Sequence, residues 1–192
     1  MTELKAGSQT TWERVARRIR VPMGFAFAAL FLWLARPTWE SIGWSLLVVV
    51  PGLWMRGYAA GYVKKNEELT RTGPYAYTRN PLYLGSMLIA FGFAAAARSW
   101  VLPMALAGLF AVIYWPTIRS EEEFLRGRFP EFEEYARAVP RLLPRLRAAP
   151  TLASAGVFSR ERYLHHREYN SAIGALAIYA ALLMRLVRLG HG

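Results

Sequence analysis

Five stretches without a single charged side chain divide this sequence: 21–35, 41–55, 80–97, 99–118 and 169–184. Each is dominated by Ala, Leu, Val, Phe and Trp, and each is bounded by arginine or glutamate. A membrane-spanning helix needs about 20 residues, with a lower limit near 17. The third and fourth runs meet that length, and the other three meet it if their flanking arginines extend toward the headgroups. Trp33, Trp39, Trp44, Trp54, Trp100 and Trp115 fall near the run ends, as residues of an interfacial aromatic belt do. A soluble domain of 192 residues has too little interior to bury five helices that are apolar all round. The sequence therefore predicts an all-α integral membrane bundle of about five transmembrane helices.

The formal net charge of +11 is spread over three segments, and their placement predicts an orientation. Lys5, Arg14, Arg17, Arg18 and Arg20 precede the first run, and Lys64, Lys65, Arg71 and Arg79 lie between the second and third. The stretch from Arg119 to Glu168 is dense in both signs, whereas the other connections hold little beyond Arg36 and Arg98. Basic loops stay on the cytoplasmic side, so these three segments are expected inside, in the inner membrane of a bacterium, against an anionic leaflet. Arg185 and Arg188 at the exit of the fifth run break the pattern, so that helix is either weakly oriented or partly interfacial. The aromatics sit in the apolar runs and not among the basic residues, which argues against a nucleic-acid partner. Without cysteine there is no disulfide, thiolate nucleophile or iron–sulfur site. The first run lacks a small-residue cleavage site and reads as a retained anchor.

One domain spanning 1–192 is expected, in four parts. Residues 1–20 form a basic lead-in, with Trp12, Val15 and Ile19 on one helix face suited to a membrane surface. Residues 21–118 hold four spans, with kinks or opened backbone predicted at Pro51 and Pro103. Residues 119–168 form a soluble helical segment capping the inside face, and 169–187 the last helix. Pro140 and Pro144 end the helical pattern of the cap and predict an extended crossing. Residues 148–158 read as a loop or re-entrant segment.

The chemical inventory is short. There is no Asp, and His165, His166 and His191 are all placed away from the charged mouths of the spans. Adjacent His165 and His166 would point apart on a helix, so no metal site is expected. No glycine-rich phosphate loop follows a strand. Two clusters remain: "GPYAYTRNPLYLG" (73–85) at the entrance to the third run, and Arg119 with Glu121, Glu122 and Glu123 at the exit of the fourth. A hairpin of the third and fourth runs brings them together at the inside face. Arg79 can bind a carboxylate with its planar fork, Glu121 or Glu122 can bind an ammonium, and the tyrosine rings suit a cation or a planar base. S-adenosylmethionine carries all three groups. The same residues would equally anchor a span at the interface, with the glutamates as a solvated helical turn.

"GPYAYTRNPLYLG" resembles the G-x-Y-x-x-x-R-H-P-x-Y-x-G signature of the isoprenylcysteine carboxyl methyltransferases and the related phospholipid N-methyltransferases. "EEEFLRGRFPEFEEYARAVPRLLP" resembles their second block, and the likeness covers roughly 56–145. The resemblance implies a helical membrane bundle with S-adenosylmethionine bound at its inside end and a lipid or lipidated molecule as methyl acceptor. Matched by position, it implies cofactor contacts at Leu69, Thr70, Tyr75, Arg79, Asn80, Pro81, Tyr83, Gly85 and Glu121. It makes Glu122, which completes the glutamate pair, and Arg119, which would orient the acceptor, the catalytic candidates. Asn80 stands where the signature has histidine; it can hydrogen-bond but cannot act as a base. Phe129-Pro130 replaces a common Phe-Gly.

Methyl transfer from a sulfonium is an in-line displacement that needs positioning and desolvation rather than a covalent intermediate. A carboxylate acceptor needs no base, whereas an amine must lose a proton. Two other readings remain open: a sterol-reductase-like nicotinamide enzyme, and a non-catalytic lipid-binding scaffold on the same bundle.

Overall fold

The computed structural model describes residues 26–64, 67–150 and 156–190. Every regular element among them is helical: α1 (26–34), α2 (Trp39–Tyr62), a 3-10 turn (Gly73–Ala76), α3 (Pro81–Ala96), α4 (Val101–Leu109), a π-helical stretch (Phe110–Tyr114), α5 (Trp115–Arg128), α6 (Phe132–Ala138), α7 (Arg160–His165) and α8 (Tyr169–Gly190). The expected lead-in at 1–20 lies outside the described residues, as do 151–155 of the expected loop.

α2 starts on a capping box: Thr38 Oγ1 accepts from the Ser41 amide at 3.2 Å, and Ser41 Oγ accepts from the Thr38 amide at 2.9 Å. The helix then continues without interruption through Pro51. Ser41 also donates to the Ala96 carbonyl (2.9 Å), and the Arg36 amide donates to that of Ala97 (2.9 Å). These bonds tie the start of α2 to the end of α3, so the two helices are antiparallel and the 73–85 cluster lies at the opposite end.

Between them the helices approach through glycine. A Cβ on Gly85 would fall 2.8 Å from the Gly52 carbonyl oxygen and 2.6 Å from Arg56 Cγ, and one on Gly92 would fall 2.6 Å from Val49 Cγ2. Gly85, expected to admit the cofactor, instead admits α2. Gly85→Leu is expected to force the pair apart and cost about 2–3 kcal/mol, the overpacking range, read as a lowered melting temperature in detergent.

Pro103 sits in the first turn of α4, and the irregularity falls further on. Pro116 has no N–H to return to the preceding turn; the Thr117 hydroxyl reaches back to the Ile113 carbonyl at 2.6 Å. π-helical bonding over 110–114 absorbs the missing bond inside a helix that otherwise continues from Val101 to Arg128.

Two described helices, Val101–Arg128 and Tyr169–Arg188, are long and apolar enough to cross a membrane. α3 is apolar but has 16 residues, a rise of about 24 Å against a hydrocarbon core of about 30 Å. Trp33, Trp39, Trp44, Trp54, Trp100 and Trp115 are all exposed, an arrangement a lipid surround tolerates and water penalises.

Two cores stabilise the molecule. One joins Phe31, Ile42, Val49, Phe93, Leu102, Ala175 and Leu182. The other lies beneath the charged end and is built on Leu69, Phe132, Tyr135, Val139 and Ala149. Pro140 cannot extend α6, and the chain then runs extended alongside 76–79. The Arg79 amide donates to Pro140 (3.0 Å), the Arg145 amide to Tyr77 (2.9 Å) and the Ala149 amide to Ala76 (2.9 Å).

Candidate active site

The 73–85 segment is shaped before it reaches α3. Gly73 has φ +60°, and a Cβ there would meet the Tyr62 ring at 2.6 Å, so glycine is required on both counts. Pro74 opens the 3-10 turn, and Pro81 opens α3, the position where a missing N–H costs nothing. The turn buries Tyr75, whose carbonyl accepts the buried Tyr135 hydroxyl at 2.8 Å. Burial pushes both phenols well above their ordinary range, Tyr75 the further, so both stay neutral through the physiological range.

Beneath the surface Glu122 is the hub. Its side chain is almost fully buried and receives Arg141 Nε at 2.9 Å and Asn80 Nδ2 at 3.3 Å. Asn80 Nδ2 also donates to the Arg141 carbonyl at 2.9 Å. Arg79 Nε lies 3.3 Å from Glu122 Oε1, close enough for ion pairing, yet it is buried without an aligned hydrogen-bond acceptor among the described residues. Burial pulls the Arg79 guanidinium below its usual range, and Glu122 partly offsets that. One helical position away, Glu121 is exposed and accepts the Tyr83 hydroxyl at 3.1 Å.

Leu69, Thr70, Tyr75, Arg79, Asn80, Pro81, Tyr83 and Glu121 all line one cavity of about 270 Å³. The other three residues expected at the site do not line it. Gly85 lies at the α2–α3 crossing, Glu122 is behind the wall holding Arg79, Asn80 and Arg141, and Arg119 is exposed on α5. The same cavity is lined by residues that sequence reasoning passed over: Lys64, Glu68, Phe124, Tyr135, His166 and Glu168. His166 and Glu168 come from the turn between α7 and α8, so the expectation that all the histidines lie away from the charged mouths is corrected for His166. No local signal marks this pair, because only the return of the chain through α7 brings it to the cavity. Among the described residues no three His, Cys, Asp or Glu side chains come together as a metal site.

A second, larger cavity of about 690 Å³ shares Tyr83 with the first. Its walls are mostly Phe, Leu, Ile and Ala, including Phe27, Phe31, Phe93, Leu106 and Ile178. Among the described residues, Arg56 is the one charged side chain lining it. The guanidinium pairs with Glu168 through two bonds (3.0 and 2.8 Å) and also bonds the hydroxyls of Ser171 and Ser86. Ser86, Ser171 and Tyr83 line the chamber too, so it has one polar end against a long apolar body. The Tyr114 ring, from the π-helical stretch, packs edge-on against Tyr83 at 6.0 Å.

The family model for phospholipid methyltransferases matches residues 19–131. This match extends N-terminal to the segment of roughly 56–145 that carries the resemblance. The chain is 39% identical over 137 residues to the cobalt-zinc-cadmium resistance protein CzcN of Cupriavidus metallidurans, covering 66% of this chain and 62% of that one. It is 41% identical over 100 residues to the nickel-cobalt-cadmium resistance protein NccN of Alcaligenes xylosoxydans xylosoxydans, covering 52% of this chain and 46% of that one. The aligned region thus spans less than two thirds of either relative's own length. No solved structure matches. Matched over more than half of its residues, with two helices able to cross a membrane, the chain belongs to the phospholipid methyltransferase family.

Proposed function

We propose that this protein transfers a methyl group from S-adenosylmethionine to an amphiphilic acceptor, with the cofactor in the smaller cavity and the acceptor's tail in the larger. The observation that carries this reading is the shared wall at Tyr83 between a charged, aromatic cavity and an apolar chamber. The donor set of the smaller cavity fits the cofactor. Arg79 offers a buried, unaligned N–H to a carboxylate, Glu68, Glu121 and Glu168 offer partners to an ammonium or sulfonium, and Tyr75, Tyr83 and Phe124 offer ring faces. When bound, the cofactor supplies an electrophilic methyl on a leaving group already activated by its positive charge.

Asn80 serves this site by hydrogen bonding alone, which an amide does as well as an imidazole. Glu122 acts through the side chains it holds and is a positioning residue. Arg119 keeps an orienting role only for an acceptor head that reaches the outside of α5. In this reading α1, α2, α3, α4–α5 and α8 all lie across the membrane, with the site on the cytoplasmic side of a bacterial inner membrane. Any part in metal resistance shared with the two relatives would run through a modified amphiphile.

Calorimetric titration of the detergent-purified protein with S-adenosylmethionine and S-adenosylhomocysteine tests the cofactor assignment. One-to-one binding of both in the micromolar range is expected. Absence of heat with either ligand, in protein shown to be folded, would leave a non-catalytic lipid-binding bundle as the better reading. Transfer to short, soluble acceptors as fast as to long-chain ones would remove the apolar chamber from the reaction.

A further inference from the structure

We propose that the strip from Arg141 to Arg147 is a seat on an anionic bilayer surface, an assignment that rests on the placement of the spans proposed above and not on the methyl transfer. Leu143 and Leu146 enter the leaflet, and Arg145 and Arg147 meet its acidic headgroups.

Charge is segregated within the segment that follows the fourth apolar run. From 121 to 134 it holds six glutamates against two arginines, Arg126 and Arg128. From 135 to 160 it holds no acid and five arginines, at 137, 141, 145, 147 and 160. Arg141 is paired with Glu122. Arg137, Arg145 and Arg147 are exposed and make no ion pair among the described residues. A strip of one sign without counter-charges in its own chain is complementary to an anionic leaflet.

The apolar side chains sort the same way. Phe132, Tyr135, Val139 and Ala149 are buried in one core. Between 119 and 150 three large apolar side chains are exposed: Phe124, Leu143 and Leu146. Phe124 lines the smaller cavity, whereas Leu143 is 76% and Leu146 100% exposed. The fold holds them out, because the strip is pinned on both sides. The Pro140 carbonyl accepts the Arg79 amide, the Ala149 amide donates to Ala76, and Thr78 Oγ1 donates to the Leu142 carbonyl at 2.9 Å. Two leucines fixed in the open are unfavourable in water and favourable in lipid.

The strip also lies at the right height, where the apolar run 99–118 ends. The Arg141 guanidinium pairs with Glu122 at 2.8 Å, and its Cζ lies 5.1 Å from the centre of the exposed Trp115 ring. From residue 115 to residue 122 a helix rises about 10 Å, comparable with the roughly 5–8 Å headgroup layer of one leaflet. The Arg145 amide bonds Tyr77, shortly before Pro81 opens α3. The strip therefore crosses the ends of α3 and α5 at the boundary between apolar and charged sequence. Arginine stems and leucines together suit that boundary.

The chain has no cysteine, so single cysteines can be placed in it and labelled with bimane, whose apolar rings stand in for a leucine. Leu146→Cys reads the seat, Glu134→Cys reads the acidic half, and Leu176→Cys, exposed on α8, reads the lipid face of a span. Melting temperatures near that of the unmodified protein show that the labelled variants are folded. In nanodiscs of phosphatidylcholine with phosphatidylglycerol, the probe at 146 is expected to be quenched by headgroup-level nitroxide lipids and shielded from iodide. The probe at 134 should show the reverse. Each arginine near an anionic surface favours the seated state about fivefold. Adding Arg145→Gln and Arg147→Gln should therefore lower the ratio of seated to free strip about thirtyfold, exposing the probe at 146 to iodide. Phosphatidylcholine alone should do the same. Iodide quenching at 146 as strong as at 134 in the anionic nanodiscs overturns the inference. Shielding from both quenchers would place a second protein surface on the strip and overturns it too. Lipid quenching that survives both the glutamines and phosphatidylcholine overturns the assignment to an anionic surface. A probe at 176 that iodide reaches overturns the span placement, and this seat with it, whereas S-adenosylmethionine titration tests the methyl transfer separately.

Discussion

Glu122→Gln is expected to destabilise the protein by about 3 kcal/mol, because it leaves two guanidinium groups without their counter-charge. Arg79 is buried on one side of the carboxylate, and Arg141, about a third exposed, lies on the other. The partial exposure of Arg141 puts the cost at the lower end of what a broken buried pair entails. Glutamine fits the space and still accepts from Asn80 Nδ2, so the loss isolates charge from shape. Followed by circular dichroism in detergent, the melting temperature should fall on the order of 10 °C. An unchanged melting temperature would show that Arg79 and Arg141 are solvated well enough to do without Glu122.

The same substitution one residue earlier should do the opposite. Glu121 is exposed at the cavity mouth, with the Tyr83 hydroxyl as its partner. Glu121→Gln is expected to leave the melting temperature within a degree or two, since surface substitutions are usually near neutral. Binding of S-adenosylmethionine should weaken about 10- to 100-fold, the loss of one hydrogen bond to a charged group, about 1.5–3 kcal/mol. Calorimetry on the variant reads this directly, and an affinity within twofold of the unmodified protein would take Glu121 out of the cofactor's reach. Together the pair separates binding from stability at adjacent positions in the chain.

Much of this was legible in the sequence because it was local. The runs free of charge mark the helices, and the prolines at 74 and 81 open the 3-10 turn and α3 where a missing N–H costs nothing. The hairpin geometry brings 73–85 to the end of α5, and eight of the eleven residues expected at the site share one cavity. What was not legible depends on side-chain direction or on distant returns of the chain. Glu121 and Glu122 are indistinguishable as letters; only the phase of α5 turns one to the cavity and the other to the buried arginines. The resemblance implied a cofactor contact at Gly85, whereas its neighbour is Gly52, far off in sequence. His166 and Glu168 were passed over because their place depends on α7 packing back on α2 and on the left-handed turn at Arg167, neither of which any nearby motif announces. The five-span count was read from runs of composition alone, and helix length supports it for two described helices.

The π-helical stretch at Phe110–Tyr114 sets the timing of everything that follows it. A widened turn holds one residue more than an α-helix needs, and each residue advances a helix by about 100°. α5 thus leaves this stretch rotated relative to the direction α4 would have given it. Winding the same residues throughout as a regular α-helix would give a smoother rod, with every residue after the stretch turned further about the axis. It would also swing the glutamate doublet about a quarter of the way round the axis, Glu121 off the cavity and Glu122 away from its arginines. A local irregularity that looks like a flaw in the rod thus acts as its keying.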